Sequence, residues 1–450
     1  MTQRIGVVGG GLAGIAAALT AADAGAQVVL FERRHTLGGL TSSIERNGRW
    51  FDNGQHVFLR CCTAYLAFLE RIGGTDLVRL QPRLDVVVLA PGGVRASIRR
   101  TALPAPLHLA ASLARYRHLS VRERLRLAAP VLALRRLDLD DPSLDQVAFG
   151  DWLAARGQSP RAVERLWDLI VRPTVNSPAA DASLALAAKV FREGLLDRAD
   201  AGDIGWSLVP LAHLHGDTAL RALAASGVEV RLATQVDEVA SVANGVALTS
   251  PGATTTVDAA IIAVPPTAAS TLGLLPGDVT DRLGSTPIVN VHLLLDRRVT
   301  DLELFAAVDS PIQFVFDRTT SSGVTEGQCL VVSQSAADEE FSRGSSELVA
   351  TMLRALGELL PAARSARLLD AVVTRERAAT FRGTPGSGAM RPSAATTVSG
   401  VFLAGAWCAT GWPATMEGAV RSGNAAARLA LVRVAGADAS ELATLSGSAR

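Results

Sequence analysis

An apolar run of strand length, Arg4 to Val8, lies near the start of the chain, and a glycine cluster of the form GxGxxG, Gly9 to Gly14, follows it directly. Small and apolar residues then continue from Ile15 to Ala24, and a second apolar run, Gln27 to Phe31, ends at the acid Glu32. A strand, a glycine turn, a helix, a second strand and an acid in this order predict a Rossmann-type βαβ unit that binds a dinucleotide.

The residues of the glycine cluster suit this task individually. Gly9 permits a tight turn, Gly11 lets the backbone approach a pyrophosphate, and Gly14 lets the helix pack closely on the sheet. Leu12 and Ala13 lie in the first helical turn, where N–H groups have no partner within the helix. These groups and the helix dipole favour bound phosphates.

A second glycine pair follows the acid. Glu32 can accept hydrogen bonds from ribose hydroxyls, Arg33 stands beside it, and Gly38 and Gly39 complete the pattern Glu-x(5)-Gly-Gly. After an intact Rossmann unit, this pattern resembles the extended fingerprint of FAD-dependent amine oxidases and phytoene desaturases. The resemblance implies that FAD is the cofactor and that this segment lies against it.

Two later segments are similar to the same superfamily. Val236 follows a predicted helix and strand, at the position where the resemblance places a valine backbone on the adenine. A strand pattern ends at Gly405, and a helix then begins within Gly411 to Gly423. A helix N-terminus aimed at the flavin stabilises the negative charge of its reduced form. The predicted contacts in this helix are Met416, Glu417 and Ala419.

Five residues, 52–56, place an acid, an amide and an imidazole close together. Asn53-Gly54 is a turn signal, so Asp52 either caps this turn or takes part in chemistry. His56 leads into an apolar segment, and a half-buried imidazole can titrate near neutral pH.

The segment 52–56 together with 411–423 resembles the hydroxysqualene dehydroxylase family, also described as squalene-associated FAD-dependent desaturases. Residues 376–381 and Arg391-Pro392 fit it too, and the resemblance extends to about Ala435. It implies a role in hopanoid synthesis, in which hydroxysqualene and reduced flavin give squalene, water and oxidised flavin. The partners are then an isoprenoid lipid, hydroxysqualene, and an unidentified electron donor for the flavin.

This chemistry needs an acid that protonates the leaving hydroxyl group and a dry, apolar pocket. We predict that His56 is the proton donor and that Asp52 orients or replaces it.

Three other functions share these motifs. A phytoene or carotenoid desaturase would use a similar apolar tunnel. A flavin amine oxidase commonly has a lysine near the flavin and an aromatic cage, whereas this chain has one lysine, Lys189, and two tyrosines. A non-enzymatic prenyl-lipid-binding protein of the GDP-dissociation-inhibitor type shares the fold, but the complete glycine fingerprint with Glu32 argues against it.

Between Gly93 and Arg136 the chain is strongly basic. Apolar stretches alternate with ten arginines and a single acid, Glu123: Arg95, Arg99, Arg100, Arg115, Arg117, Arg122, Arg124, Arg126, Arg135 and Arg136. This pattern is typical of a surface that lies on anionic lipid, or of a solvated helical face with arginine stems over the core. The apolar substrate favours membrane contact.

Composition limits the other possibilities. Apolar residues make up 48% of 450 residues, and the net charge is +1, so no nucleic-acid partner is expected. The four cysteines show neither a disulfide framework nor zinc-ligand spacing, so we expect no metal. No uninterrupted run of about 18 apolar residues predicts a membrane span. We expect a cytoplasmic protein with peripheral contact to the inner membrane.

The predicted fold is α/β, with a Rossmann-type FAD-binding domain, an inserted mixed α/β substrate domain and a helical, membrane-contacting subdomain. The predicted segments are a discontinuous FAD-binding domain (1–85, 205–265 and 393–435), a mostly helical insertion (86–204), a substrate-binding domain (266–392) and a flexible tail (436–450).

Overall fold

The computed structural model describes residues 3–436. Within them the strands are, in chain order, β1 (Arg4–Val8), β2 (Gln27–Phe31), β3 (Ser43–Arg46), β4 (Arg49–Asp52), β5 (Phe58–Leu59), β6 (Val78–Leu80), β7 (Asp85–Ala90), β8 (Val94–Arg99), β9 (Ile204–Ser207), β10 (Glu229–Arg231), β11 (Glu238–Val242), β12 (Gly245–Ser250), β13 (Ala253–Val257), β14 (Ala259–Ile262), β15 (Thr286–Leu295), β16 (Leu304–Ala307), β17 (Phe314–Asp317), β18 (Gln328–Ser335), β19 (Leu368–Thr380) and β20 (Val401–Leu403).

The α-helices of the same residues are α1 (Leu12–Asp23), α2 (Thr63–Arg71), α3 (Ala110–Ala114), α4 (Val121–Arg126), α5 (Ala128–Leu134), α6 (Phe149–Ala154), α7 (Pro160–Ala162), α8 (Asp168–Val175), α9 (Leu184–Phe191), α10 (Thr218–Ala225), α11 (Pro266–Thr271), α12 (Val279–Leu283), α13 (Asp338–Ser342), α14 (Ser345–Leu359), α15 (Ser387–Met390) and α16 (Met416–Val434).

A parallel five-stranded sheet carries the candidate cofactor site. Its strand order is β10-β2-β1-β14-β20, so it joins the three segments of the predicted FAD-binding domain. Helices α1 and α16 cover one face, and the antiparallel sheet β11-β12-β13 packs against the other. The strands are apolar because both faces are buried. The predicted α/β Rossmann-type fold is confirmed.

A second sheet has seven strands in the order β19-β15-β18-β17-β16-β7-β8. Strand β7 pairs with β16 in parallel, and β8 pairs with β7. Residues 86–99 therefore belong to this sheet, whereas the sequence analysis placed them in the helical insertion. The pairing with β16 spans more than 200 positions of sequence, so local patterns did not reveal it.

The helical part of the insertion runs from α3 to α9 and includes two π-helical turns, Val163–Trp167 and Arg192–Leu196. The first of these turns joins α7 to α8 without a break, so the helix runs continuously from Pro160 to Val175. Of residues 3–436, none lies in a helix with both the length and the hydropathy to cross a bilayer. The predicted tail beyond Gly436 is outside the described residues.

Candidate functional site

The first part of the site lies where β1 meets α1. A Cβ atom on Gly14 would collide with the carbonyl oxygen of Gly9, so only glycine lets the helix approach the turn this closely. Gly11 is the N-cap residue of α1 and provides no side-chain cap. The N–H groups of the first turn, at Leu12 and Ala13, therefore remain free for an anionic ligand.

The second glycine pair lies against the first. The Gly38 N–H donates to the Gly10 carbonyl oxygen (2.8 Å), and Gly11 and Gly38 form a parallel bridge. A Cβ atom on Gly39 would lie only 2.9 Å from the Gly11 Cα. Two glycine segments separated by more than 20 residues thus form one backbone surface.

Glu32 closes one side of this surface. Its carboxylate accepts hydrogen bonds from the N–H groups of Gly10 (2.7 Å) and Arg34 (2.8 Å) and is largely buried. A carboxylate has about four acceptor positions, so capacity remains for ribose hydroxyls. Arg33 is exposed beside it. The Thr234 N–H donates to the Glu32 carbonyl oxygen (2.9 Å), which brings this segment next to Glu32. Val236, two residues further on, is therefore close to Glu32, and it is buried.

The C-terminal motif meets the N-terminal one. A Cβ atom on Gly423 would collide with the Ala13 carbonyl oxygen, so α16 packs directly on α1. The Thr415 hydroxyl caps α16 by accepting from the Gly418 N–H (3.2 Å), and Met416 is the first helical residue. The Gly405 N–H donates to the Ser422 hydroxyl (2.8 Å), which fixes the end of β20 beside the helix.

The side chain of Glu417 contacts a neighbouring helix. Its buried carboxylate accepts the N–H groups of Ala64 (3.2 Å) and Tyr65 (2.7 Å) and pairs with Arg421 (2.7 Å). It therefore caps the N-terminus of α2 from a neighbouring helix. The side chain is committed to this contact, so any contact of Glu417 or Ala419 with a cofactor must come from the backbone of α16.

These segments define a cofactor cradle: Gly9–Gly14, Glu32, Gly38–Gly39 and the start of α16. The cradle offers helix N-termini for a diphosphate, a carboxylate for a ribose and side-chain-free backbone where a Cβ would collide. Its residues fit FAD. The part of the chain from 3 to 436 contains no cluster of His, Cys, Asp or Glu side chains suited to a metal ion.

Asp52 ends β4 and belongs to a buried ion pair. Its carboxylate accepts from the Arg318 guanidinium (2.8 Å), the Ser43 hydroxyl (2.7 Å) and the Leu211 N–H (3.0 Å). Both charged side chains are more than nine-tenths buried. These three donors occupy the carboxylate and hold it in place, so the geometry favours the orienting role of Asp52 over the role of proton donor.

His56 lies beside this pair, in a small pocket. The pocket is lined on its apolar side by Trp206, Leu211 and Phe316, and on its polar side by Asp52 and Arg318. Burial lowers the pKa of His56 below its ordinary value, and the charge of Asp52 and the Leu40 carbonyl oppose that shift. Because Leu40 follows Gly39, the pocket adjoins the cofactor cradle.

Two further imidazoles, not predicted from the sequence, lie in the same region. His215 lies on a π-helical turn, Ala212–Asp217, and bonds the Tyr65 hydroxyl through Nε2 (2.8 Å). His292 lies on β15 against the ring of Phe51. The pKa of His215 is lowered to about 3 and that of His292 to about 4, mainly because both rings are buried. Both imidazoles are therefore neutral at pH 7.

Asp52, His56, His215, His292 and Arg318 form a histidine cluster, whose members influence one another's charge. Four different stretches of the chain supply them. A signal for His215 was present in the pair of histidines at 213 and 215, directly before a helix, whereas nothing local marked His292 or Arg318.

Arg391 is a second residue whose role was missed, although its segment was noted. Its buried guanidinium donates to the carbonyl oxygens of Ala406 (3.1 Å), Cys408 and Trp412 (2.7 Å), and to the Thr410 hydroxyl (3.2 Å). Burial lowers its pKa to about 10, so it stays charged at neutral pH. Arg391 therefore clamps the loop that leads into α16.

Comparison with known proteins agrees with this geometry. Residues 12–431 match the family model described as flavin containing amine oxidoreductase. A hydroxysqualene dehydroxylase of Rhodopseudomonas palustris is 29% identical over 96% of this chain and 99% of its own length. A probable zeta-carotene desaturase of Synechococcus elongatus is 23% identical over 95% of this chain and 98% of its own.

Solved structures show the same fold at lower sequence similarity. Cyclohexylamine oxidase from Brevibacterium oxydans superimposes with a TM-score of 0.71 and 19% identity, covering 97% of this chain and 100% of that one. The shared architecture therefore extends over the whole described chain.

Proposed function

The chain belongs to the flavin containing amine oxidoreductase family, and we propose that it removes the hydroxyl group of hydroxysqualene reductively to give squalene. It is an oxidoreductase, and its cofactor is FAD. The observation that carries the proposal is the near-full-length similarity to hydroxysqualene dehydroxylases, which exceeds that to the carotene desaturases in identity.

The cofactor cradle would hold FAD, which in its reduced form would supply hydride to the carbon that loses its hydroxyl group. The chain's own residues have three tasks: they protonate the departing oxygen, keep the substrate carbon dry and hold the substrate in place. The C–O bond breaks as the hydroxyl oxygen takes a proton and leaves as water. Two electrons are consumed per turnover, so an external donor must reduce the protein again.

His56 is suited to protonate the departing oxygen. It lies in the pocket that adjoins the cofactor cradle, and the fixed negative charge of Asp52 supports its imidazolium form. Its lowered pKa makes this form a minor species at neutral pH. The acid form is required, so the rate should be constant at low pH and fall about tenfold per pH unit above the pKa of His56.

The pocket beside His56 has a mixed wall. Trp206, Leu211 and Phe316 form its apolar part, and Arg318 is occupied by Asp52 and by the carbonyl oxygens of Ser207 and Val209. The positive charge of Arg318 is balanced by Asp52. A cationic intermediate beside His56 would meet aromatic rings on one side and the carboxylates of Glu303 and Asp317 on the other.

Amine oxidation is less compatible with the structure. Both tyrosines are buried: the Tyr65 hydroxyl bonds His215, and the Tyr116 hydroxyl donates to the Arg165 carbonyl oxygen (2.8 Å). Neither is free to build an aromatic cage. The single lysine, Lys189, pairs with Glu193 (3.0 Å) on its own helix.

An anaerobic single turnover tests the proposed reaction. Purified holoenzyme is reduced with dithionite, mixed with hydroxysqualene, and followed by flavin absorbance and by analysis of the extracted lipid. We expect the oxidised flavin spectrum to return as squalene forms in equal amount. A flavin that stays reduced, with no squalene, would contradict the proposal.

The carotene desaturase alternative is tested in the opposite direction. Oxidised holoenzyme is mixed with phytoene or zeta-carotene, and conjugated products are sought by their visible absorbance. We expect none. Conjugated product here, with no squalene from the reduced protein, would assign the chain to desaturation instead.

A further inference from the structure

The helical insertion exposes a row of aliphatic side chains that nothing in the described chain covers. Of the fourteen large aliphatic side chains exposed in residues 3–436, five lie between positions 103 and 132: Leu103, Leu107, Val121, Leu125 and Leu132. Leu125 is 76% exposed, the highest value of the fourteen. Exposed single leucines are ordinary, but a contiguous group of them marks an interaction surface.

Three of the five form one stripe. Leu127, which separates α4 from α5, has helical dihedral angles (φ −64°, ψ −26°), so the two helices continue each other. Val121, Leu125 and Leu132 are spaced at i, i+4 and i+11, and the exposed Ala128 fills position i+7. This spacing places all four on one face of the helix.

The opposite face anchors the helix to the protein. Leu127, Pro130 and Leu134 are buried, and two of them join the apolar core of the insertion. The Gln158 amide also donates to the Arg126 carbonyl oxygen (2.9 Å). Since the helix already has a buried face, the outer stripe is not needed for folding and is held as a fixed surface.

Arginines surround this stripe. Six of them are exposed and form no ion pair with any residue from 3 to 436: Arg115, Arg117, Arg122, Arg126, Arg135 and Arg136. Arg122 and Arg126 form the row adjacent to Val121 and Leu125 on the same helix. The one acid of the segment, Glu123, is engaged by the Ser120 capping box and the Ser159 hydroxyl (2.6 Å).

We propose that this surface, the stripe Val121/Leu125/Ala128/Leu132 with its six arginines, docks the protein on an anionic lipid bilayer. Aliphatic groups enter the boundary between headgroups and acyl chains, and the guanidinium groups bind the lipid phosphates. A second copy of the chain is a poorer occupant, because self-association through this face would bring unpaired arginines of both copies together.

Vesicle sedimentation tests the proposal with the full-length holoenzyme. Vesicles of phosphatidylcholine alone are compared with vesicles that also contain phosphatidylglycerol. We expect binding to the anionic vesicles that weakens as salt is added, and little binding to the neutral ones. Equal, negligible sedimentation with both would overturn the proposal, as would equal binding to both.

Two variant pairs separate the aliphatic and basic contributions. L125Q/L132Q should weaken binding at least about tenfold through lost apolar burial, whereas L208Q/L220Q, on exposed leucines elsewhere, should bind like the wild type.

R122Q/R126Q should weaken vesicle binding by roughly 25-fold, since each arginine near an anionic surface contributes about fivefold. The matched R221Q variant should bind normally. If L125Q/L132Q or R122Q/R126Q binds as tightly as its control, the proposal fails.

Sedimentation velocity over a range of concentrations provides a second readout. A concentration-dependent dimer that L125Q/L132Q abolishes, without vesicle binding by the wild type, would assign this surface to a second copy and overturn the lipid proposal. The inference is independent of the proposed reaction: turnover of detergent-solubilised hydroxysqualene should be the same in the variants and the wild type.

Discussion

The cofactor cradle and the histidine cluster adjoin each other, yet they are constructed in different ways. The cradle presents backbone N–H groups and positions where a side chain would collide, drawn from β1, α1 and α16. The histidine cluster presents buried ionisable side chains from four separate stretches of sequence. The cradle is consequently sensitive to added atoms, whereas the cluster is sensitive to lost charges and hydrogen bonds. Each prediction below probes this difference.

The largest effect is expected in the cradle. Gly14→Val places atoms against the Gly9 carbonyl oxygen and pushes α1 away from the turn. We expect FAD affinity to fall by about a hundredfold or more. FAD content is measured by absorbance of the purified protein. The control is Gly277→Val, where an added Cβ meets no atom within 4 Å; stoichiometric FAD in the Gly14 variant would show that the contact is not needed.

The next largest effect is expected in the histidine cluster. Arg318→Met leaves the Asp52 carboxylate buried without its cation. We expect the free energy of unfolding to fall by about 3–5 kcal/mol, as for other broken buried pairs. Urea denaturation measures it. Arg282→Met removes the partner of Asp278 in an exposed pair and should change stability by less than about 1 kcal/mol; equal losses in both variants would mean that the Asp52 pair contributes no more than a surface pair.

The difference between the two regions also explains what the sequence could predict. The bounds of β1 and β2 and the glycine turn between β1 and α1 follow from short-range patterns, since helix and turn preferences act within a few residues. The cluster is different. Asp52 and His56 were found from their own segment, but Arg318 and His292 reach them through pairing between distant strands. The partners of Glu417 on α2 are 353 and 352 positions away, which a local pattern does not contain.

A smaller effect is expected at Arg391, which clamps the loop before α16. Arg391→Met removes the donor that holds the carbonyl oxygens of Ala406, Cys408 and Trp412. We expect FAD affinity to fall about tenfold, because several buried acceptors lose their partner. FAD titration of the deflavinated protein measures it. Arg391→Lys keeps the charge with fewer donors, so its FAD affinity should lie between that of the wild type and that of Arg391→Met. Arg377→Met, on the surface, should bind FAD normally. If Arg391→Met binds FAD as tightly as the wild type, Arg391 does not position the FAD site.

The smallest effect is expected for the two tyrosines. Tyr65→Phe and Tyr116→Phe each lose one buried hydrogen bond, so each should lower the free energy of unfolding by about 1 kcal/mol. Only Tyr65 contacts His215 beside the second glycine pair, so only Tyr65→Phe should also weaken FAD binding. Parallel urea and FAD titrations compare them. If both variants changed FAD affinity alike, the contact of Tyr65 with His215 would not account for the effect.

The most direct test of the account is the rate of squalene formation by His56→Gln in an anaerobic single turnover with hydroxysqualene. The variant should contain as much FAD as the wild type, because His56 is outside the cofactor cradle. We predict a rate about a hundredfold or more below that of the wild type, with the wild-type rate falling as the pH rises above the pKa of His56. Equal rates in variant and wild type, at equal FAD content, would contradict the assignment of proton donation to the histidine cluster.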